Sequence, residues 1–156
     1  MIVGIISDTH GAKSDIERAV RLIPDADCWL HAGDYSQDAD YLAKLVDKKV
    51  YAAMGNCDGY DTTAKIDEYV TLGNRHIWIT HGHHYDVKHT VRELVYWAEQ
   101  YEVDIVVYGH THIPKVEKIG EKYFVNPGSA KYGKTCIKLI IEKETVTFEI
   151  LPFPQK

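Results

Sequence analysis

The chain has 156 residues, 45% hydrophobic and 26% charged, which is the balance of an ordinary globular protein rather than a disordered one. Its 18 basic and 23 acidic residues give a formal net charge of -5, which argues against a broad basic surface for extended nucleic acid. The longest apolar runs have only strand length and no signal peptide is visible, so we expect no membrane association and a cytoplasmic location. At this length we expect a single domain over residues 1–156.

The first half of the chain alternates between strand and helix patterns. Strands are predicted at 2–6, 27–31 and 49–54. The first helix is predicted to open at a capping box, Ser14 to Glu17, and the second to span 37–47. This alternation predicts βαβ units with parallel strands.

The second half is richer in strands. Gly73-Asn74 suits a tight hairpin turn between two strands, and the apolar spacing predicts a helix over about 86–102. The remaining strands are predicted at 67–72, 75–80, 104–108, 114–119, 122–126, 135–141 and 145–151. Pro152-Phe153-Pro154 is expected to be a short surface tail. The chain therefore begins as α/β and ends as antiparallel β, and we expect two packed sheets with helices outside.

The three cysteines are widely spaced and odd in number. Without a CxxC pair, neither a disulfide framework nor a cysteine-type zinc site is indicated. Cys28 and Cys136 fall in predicted strands and are expected to be small core residues.

Side chains that can bind metals follow five of the predicted strands. They are Asp8, His10, Asp34, Asn56, His81, His110 and His112. Because ligands of open α/β sheets bind beyond the carboxyl ends of strands, we expect these side chains to meet at one sheet edge. Asp, Asn and Gly are also common turn residues, but histidine has no special role in turns. A metal site therefore explains the set better than chance turn composition does.

This mixture of carboxylate, amide and imidazole donors suits transition metals better than calcium. Manganese is the first expectation, and nickel, iron, zinc and cobalt are compatible. Two such ions about 3.5–4 Å apart would clamp a phosphoryl group and activate a bridging water. A pair of metals also needs a bridging carboxylate, and Asp34, alone at its strand end, is the candidate.

The ordered motifs resemble those of the calcineurin-like metallophosphoesterases. They are Asp8-Thr9-His10, Gly33-Asp34, Gly55-Asn56, His81-Gly82 and Gly109-His110-Thr111-His112. The segment Asn126-Pro127-Gly128-Ser129 is similar to the small prokaryotic phosphodiesterase branch. The resemblance implies two mixed β-sheets packed face to face with flanking helices. It also implies two metal sites that share Asp34, one with Asp8, His10 and His112 and the other with Asn56, His81 and His110.

Cys57 departs from the pattern of many family members, which carry a histidine there that can protonate the leaving group. A neutral thiol with a pKa of ~8.5 is poorly matched to that task near neutral pH. The small branch resembles this chain in carrying cysteine there, and the alternative role is that of a packed loop residue. His83 is expected to contact substrate phosphate, although a solvated loop histidine is the alternative for both His83 and His84.

The predicted function is hydrolysis of small phosphodiesters through a metal-activated hydroxide at a dinuclear centre. The candidate catalytic residues are His83, Asn56 and His81. Two alternatives stay open. One is a non-catalytic scaffold, because the same fold resembles a subunit of the retromer coat. The other is a nuclease, which the acidic balance fits less well. The expected partner is a small phosphoester, with a homo-oligomer possible.

Overall fold

The computed structural model describes residues 1–35, 37–58 and 65–154. Within these ranges lie ten strands and three helices. In chain order they are β1 (Ile2–Ile6), α1 (Lys13–Leu22), β2 (Cys28–His31), α2 (Gln37–Val46), β3 (Val50–Ala52), β4 (Asp67–Leu72), β5 (Arg75–Thr80), α3 (Arg92–Gln100), β6 (Ile105–Val107), β7 (Lys115–Ile119), β8 (Lys122–Asn126), β9 (Thr135–Ile141) and β10 (Val146–Pro152).

The strands form two five-stranded mixed sheets. The first has the order β10-β9-β1-β2-β3, with β1, β2 and β3 parallel and β9 and β10 antiparallel to their neighbours. The second has the order β4-β5-β6-β8-β7, with a parallel centre of β5, β6 and β8 and antiparallel strands at both edges. The expectation of an antiparallel second half is therefore only partly right, because β8 joins β6 in parallel.

The two sheets pack face to face through alternating strand residues. Val3 and Ile5 of β1 contact the same fully buried cluster as Ile77 and Ile79 of β5. The residues between them in sequence point the other way, as the two-residue repeat of a strand requires. Gly4 occupies one outward position, where a side chain would stand only 2.5 Å from the Trp29 ring. That close packing explains a glycine inside a strand.

Helices cover the outer faces of both sheets. Ile16 and Leu42, from α1 and α2, pack with Trp29 outside the first sheet, and Leu94 of α3 packs with Trp78 outside the second. The predicted architecture of two mixed sheets with flanking helices is confirmed. No helix in the described part of the chain is both long and apolar enough to cross a membrane.

Three local predictions are wrong. The helix α1 begins after Ala12, which makes no side-chain cap, so the predicted Ser14 capping box does not form. The helix α3 begins only at Arg92, because Asp86 has a φ of 56° and residues 83–89 form turns. Phe153 is not a surface residue: its backbone N–H donates to the Lys134 carbonyl, and its ring is buried against the cluster under α1.

Candidate metal centre

The parallel strands of both sheets deliver polar side chains to one common edge. Asp8 and His10 follow β1, and Asp34 follows β2. In the second sheet, His81 follows β5, and both His110 and His112 follow β6. Face-to-face packing of the sheets brings these two sets against each other, as the fold rule for strand ends predicts.

The backbone is strained where these side chains enter the site. Ten non-glycine residues in the described ranges have positive φ, and six of them lie in these turns. The six are Asp8, His10, Asp34, Tyr35, His110 and His112. Such conformations cost on the order of 1–3 kcal/mol each and persist only where the surrounding structure fixes them. The turns are therefore shaped to aim side chains inward rather than to minimise local energy.

One group of donor atoms gathers around Asp8. Its Oδ1 lies 3.1 Å from His112 Nε2 and 3.9 Å from His10 Nε2. The donor atoms of these three residues all lie within 4.8 Å of one another. Donors that share one transition metal at ~2.0–2.2 Å stand at comparable separations.

A second group overlaps the first. Asp34 Oδ2 lies 3.3 Å from His81 Nε2 and 3.7 Å from His10 Nε2, so this oxygen stands between a histidine of each predicted site. His110 Nδ1 lies 3.2 Å from His81 Nε2. Asp8 belongs to this group as well, since its Oδ1 lies 3.8 Å from His81 Nε2. Asp34 thus lies close to histidines of both predicted sites.

Hydrogen bonds outside the centre orient these side chains. His81 Nδ1 lies 2.8 Å from the carbonyl oxygen of Ala32, and because a carbonyl only accepts, Nδ1 carries the proton and Nε2 faces the centre. Asp34 Oδ1 accepts from the Cys57 backbone N–H at 2.8 Å, which leaves Oδ2 to face the histidines. Asp8 Oδ2 accepts from Ser7 at 2.5 Å, which leaves Oδ1 to face them.

The electrostatics favour an ionised Asp34 carboxylate and a neutral His110 imidazole. Burial raises the pKa of Asp34, but hydrogen bonding to His81 and the charge of His81 bring it below its usual range. Burial lowers the pKa of His81, but Asp34 and Asp8 raise it above the ordinary value. The pKa of His110 falls to about 4 because of burial and the nearby charges of His81 and Lys88. A neutral imidazole beside ionised carboxylates is the form that binds a metal.

Two buried atoms at the centre lack any hydrogen-bond partner among the described residues. They are Asp8 Oδ1 and His10 Nε2. A buried polar atom without a partner costs about 1–3 kcal/mol, so native structures rarely tolerate one. Both atoms face the common space of the two groups, and both are good ligands for a divalent transition metal. The donor set therefore fits the divalent ions that the sequence predicts.

Asn56 and Cys57 stand at the rim of the centre, and both side chains are exposed. The backbone next to them packs closely against Asp34, because a Cβ atom on Gly55 would lie 2.2 Å from Asp34 Oδ1. The Asn56 amide nitrogen lies 3.8 Å from the Cys57 sulfur. The sulfur forms a further close group with His10 and Asp34. Cys57 is thus not the packed loop residue considered from the sequence, and a thiol stands near donors where none was expected.

His83 lies beside the histidines of the centre rather than out in solvent. Its ring centroid is 5.5 Å from that of His81 and 6.2 Å from that of His110. Its Nδ1 is buried without a partner among the described residues, and burial together with His84 and His81 lowers its pKa to about 4. His84 is exposed, as a solvated loop histidine would be.

A buried chain of polar contacts behind the centre was not visible from the sequence. The Gly33 N–H donates to His31 Nδ1 at 3.1 Å, so His31 Nε2 carries the proton and donates to Thr9 Oγ1 at 3.0 Å. The Thr9 hydroxyl donates in turn to Asp38 Oδ2 at 2.6 Å, which also accepts the Gly11 N–H. This series of hydrogen bonds fixes the turns that carry Asp8, His10 and Asp34. Only the place of Thr9 between two predicted ligands hinted at it.

The segment around Ser129 and Tyr132 supports the centre from the other side. Ser129 Oγ donates to the Asp8 carbonyl at 2.8 Å, and the Ala130 N–H donates to the Ser7 carbonyl. The Tyr132 ring stacks on His112, with centroids 5.5 Å apart and an interplanar angle of 20°. The sequence motif at residues 126–129 drew attention to this segment but did not predict its contacts with the centre.

Comparison with known proteins places this geometry in a family context. The profile of the calcineurin-like phosphoesterase superfamily domain matches residues 1–143. The chain is 35% identical over 133 residues to a probable metallophosphoesterase of Bacillus subtilis, covering 84% of this chain and 76% of that protein. It is 29% identical over 144 residues to a phosphodiesterase of Methanocaldococcus jannaschii, covering 82% and 83% of the two chains.

A solved structure shows the same fold. Vps29 of Entamoeba histolytica, crystallised with zinc, superposes with a TM-score of 0.77 at 22% sequence identity, covering 99% of this chain and all of that one. At this identity the likeness concerns the fold alone.

Proposed function

Because the chain belongs to the calcineurin-like phosphoesterase superfamily, we propose that it is a metal-dependent phosphodiesterase with a dinuclear centre. One site would comprise Asp8, His10, Asp34 and His112. The other would comprise Asn56, His81 and His110, with Asp34 shared between the two. Manganese is the first candidate ion, and nickel, iron, zinc and cobalt suit the same donors.

The observation that carries the proposal is the overlap of the two donor groups. Asp34 Oδ2 stands within 3.7 Å of His10 on one side and 3.3 Å of His81 on the other. The unpartnered Asp8 Oδ1 lies between the same histidines. A single metal would leave part of this set unused, whereas two metals employ all of it.

The residues around the ions have separate tasks in the proposed reaction. Bound divalent ions would supply Lewis-acid activation of water and of the phosphoryl oxygens. Asp8 and Asp34 hold the compensating negative charge, while Ser7, Ala32 and the Cys57 backbone keep the ligands in place. His83, neutral and unpartnered at Nδ1, binds a phosphoryl oxygen and stabilises the charge that develops there. Asn56 would have to turn inward from the rim to act as a ligand.

Two features favour a small diester as the substrate. The phosphodiesterase of Methanocaldococcus jannaschii matches most of the chain. The acidic net charge of -5 also gives no long basic track for a nucleic acid. We accordingly place the protein in the cytoplasm as a hydrolase of small phosphoesters, with a homo-oligomer compatible with this role.

A scaffold role is the second candidate, because a protein named for vacuolar protein sorting, Vps29, has the same fold. The gathered donor set and the unpartnered atoms favour the enzyme, since a pure scaffold has no need of strained backbone at five of the proposed donors. A scaffold could still retain metals without turnover, so only catalysis separates the two.

The test uses protein stripped of metal and reloaded with one metal at a time. Hydrolysis of bis(4-nitrophenyl) phosphate, 4-nitrophenyl phosphate and a short oligonucleotide would be measured for each metal. We expect turnover of the diester that depends on metal and exceeds turnover of the monoester. Preference for the oligonucleotide would favour the nuclease, and metal binding without turnover of any ester would favour the scaffold.

A further inference from the structure

A groove leads away from the candidate metal centre along the turns that precede α3. Its narrow part, about 190 Å³, is lined by His83, His110 and Lys88 among others. A wider part of about 420 Å³ continues from Val87, Lys88 and His89 toward β7. The shared residues make the two parts neighbours, and the wider part has the size of an ordinary small-molecule site.

The walls of the wider part suit an organic group rather than bulk water. Val91 and Ile113 offer apolar surface, and the Ile113 side chain is 66% exposed. Thr90 and Thr111 place hydroxyl-bearing side chains between them, and the buried Tyr108 lies at the back. The exposed isoleucine can pack against a ring, and the threonine hydroxyls can hydrogen-bond the substituents of that ring.

The charge of the groove differs from that of the rest of the chain. The whole chain carries a formal net charge of -5, whereas in the groove Lys88 and Lys115 balance the acidic Asp86 and Glu117. Lys115 pairs with Glu117 at 3.4 Å, and Asp86 pairs with His89 at 2.5 Å. Within the described ranges Lys88 makes no ion pair, so its ammonium group is available to an anion.

Lys88 also stands close enough to the centre to act on what is bound there. It lines the narrow part of the groove together with His83 and His110. The same side chain lines both parts of the groove. An anion held by Lys88 would therefore lie next to the reacting phosphate and not on a remote surface.

Resting on the proposed function, we propose that this groove holds the organic group of a phosphodiester and that Lys88 binds a second phosphate carried by that group. The substrate class is thus a nucleotide-like diester with a further phosphate on its alcohol. The groove supplies the apolar and hydroxyl contacts, and Lys88 supplies the charge that distinguishes such a diester from one without the second phosphate.

The test compares two substrates that differ only in the second phosphate. Thymidine 5′-(4-nitrophenyl phosphate) and its 3′-phosphorylated form share one leaving group, so the ratio of their KM values isolates the extra phosphate. We expect KM to be about fivefold lower for the phosphorylated form, in line with the modest strength of an exposed ion pair. The variant Lys88→Gln should bring the ratio close to one.

The matched control is Lys118→Gln, which removes an exposed lysine of β7 that does not line the groove. It should keep the native ratio. An absent preference in the native protein, or a preference that survives Lys88→Gln, would overturn the assignment of Lys88.

A binding measurement distinguishes a failure of the groove assignment from a failure of the proposed function. If metal-loaded protein hydrolyses no ester, the proposed function fails, and calorimetry with thymidine 3′,5′-bisphosphate then decides on the groove. About fivefold weaker binding by Lys88→Gln than by the native protein would support the groove, and equal affinities would overturn it.

Discussion

At the scale of single residues, the centre depends on where each donor atom is fixed rather than on which donors are present. Asp34 shows this most clearly, because one of its oxygens is held by the Cys57 backbone while the other faces His10 and His81. A carboxylate so placed neutralises charge at both proposed sites. Its loss would weaken both metals at once.

The variant Asp34→Asn should therefore cost more activity than the loss of any other proposed ligand. Partners that only orient a ligand already cost 10–100-fold when removed, so we expect a loss of more than about 100-fold in kcat/KM. Metal content per chain should fall in parallel. The control is Asp25→Asn, which changes an exposed aspartate that precedes β2, whereas Asp34 follows it. Two tightly held metals with near-native turnover in Asp34→Asn would rule out the bridge.

Cys57 is poorly suited to protonate a leaving group. Burial and the Asp34 carboxylate raise the pKa of its thiol, which makes it a still weaker proton donor. We therefore expect hydrolysis rates to fall steeply as leaving-group pKa rises, with aryl esters much faster than alkyl esters. The variant Cys57→His should flatten this dependence, and Cys57→Ala should change it little. The measurement is a series of diesters of graded leaving-group pKa.

A shallow dependence in the native protein that becomes steep in Cys57→Ala would identify the thiol as the acid.

At the scale of secondary structure, glycines let the turns that carry the ligands approach one another. A side chain on Gly109 would meet Asp8 Oδ2 at 2.6 Å and the Ser7 hydroxyl closer still. We expect Gly109→Ala to displace Asp8 and lower metal affinity by about 10–100-fold, the range found when the support of a ligand is disturbed. Titration of metal-stripped protein measures this.

Gly4→Ala is the matched comparison, because it overpacks the core against Trp29 instead of the centre. It should lower the free energy of unfolding by about 1–3 kcal/mol and leave metal affinity near the native value. Equal losses of metal affinity in the two variants would mean that Gly109 acts through general stability.

The strands could be predicted from sequence, whereas several contacts around them could not. Runs such as Ile77 to Thr80 alternate between two buried faces, so the apolar pattern reports them directly. The start of α3 could not be predicted: Val87 and Val91 keep the helical spacing, but Val87 packs near Gly82 from a turn. An apolar residue buried from a turn therefore has the same sequence spacing as one on the face of a helix.

The candidate site shows the same division. Its proposed ligands can be predicted from the sequence because each follows a strand, and strand ends meet at one edge. Thr9 bonds to His31 and Asp38, which lie 22 and 29 residues further along the sequence, and nothing local marks these residues as its partners.

At the scale of the whole molecule, the core and the centre are separate. The three apolar clusters between and outside the sheets consist of residues other than the proposed ligands. Metal-stripped protein should therefore stay folded and keep its native circular dichroism. At a metal concentration a hundredfold above Kd, the melting temperature should rise by roughly 5–10 °C through binding to the native state. Loss of the native spectrum on chelation would show that the metals hold the fold together.

The central claim is that two metals act together, and stoichiometry tests it most directly. Metal-stripped protein would be titrated with Mn²⁺ while bound metal per chain and hydrolysis of bis(4-nitrophenyl) phosphate are followed in the same samples. We predict that two ions bind per chain and that most of the activity appears with the second ion. Full activity with one ion per chain, or two bound ions without hydrolysis, would contradict the dinuclear account.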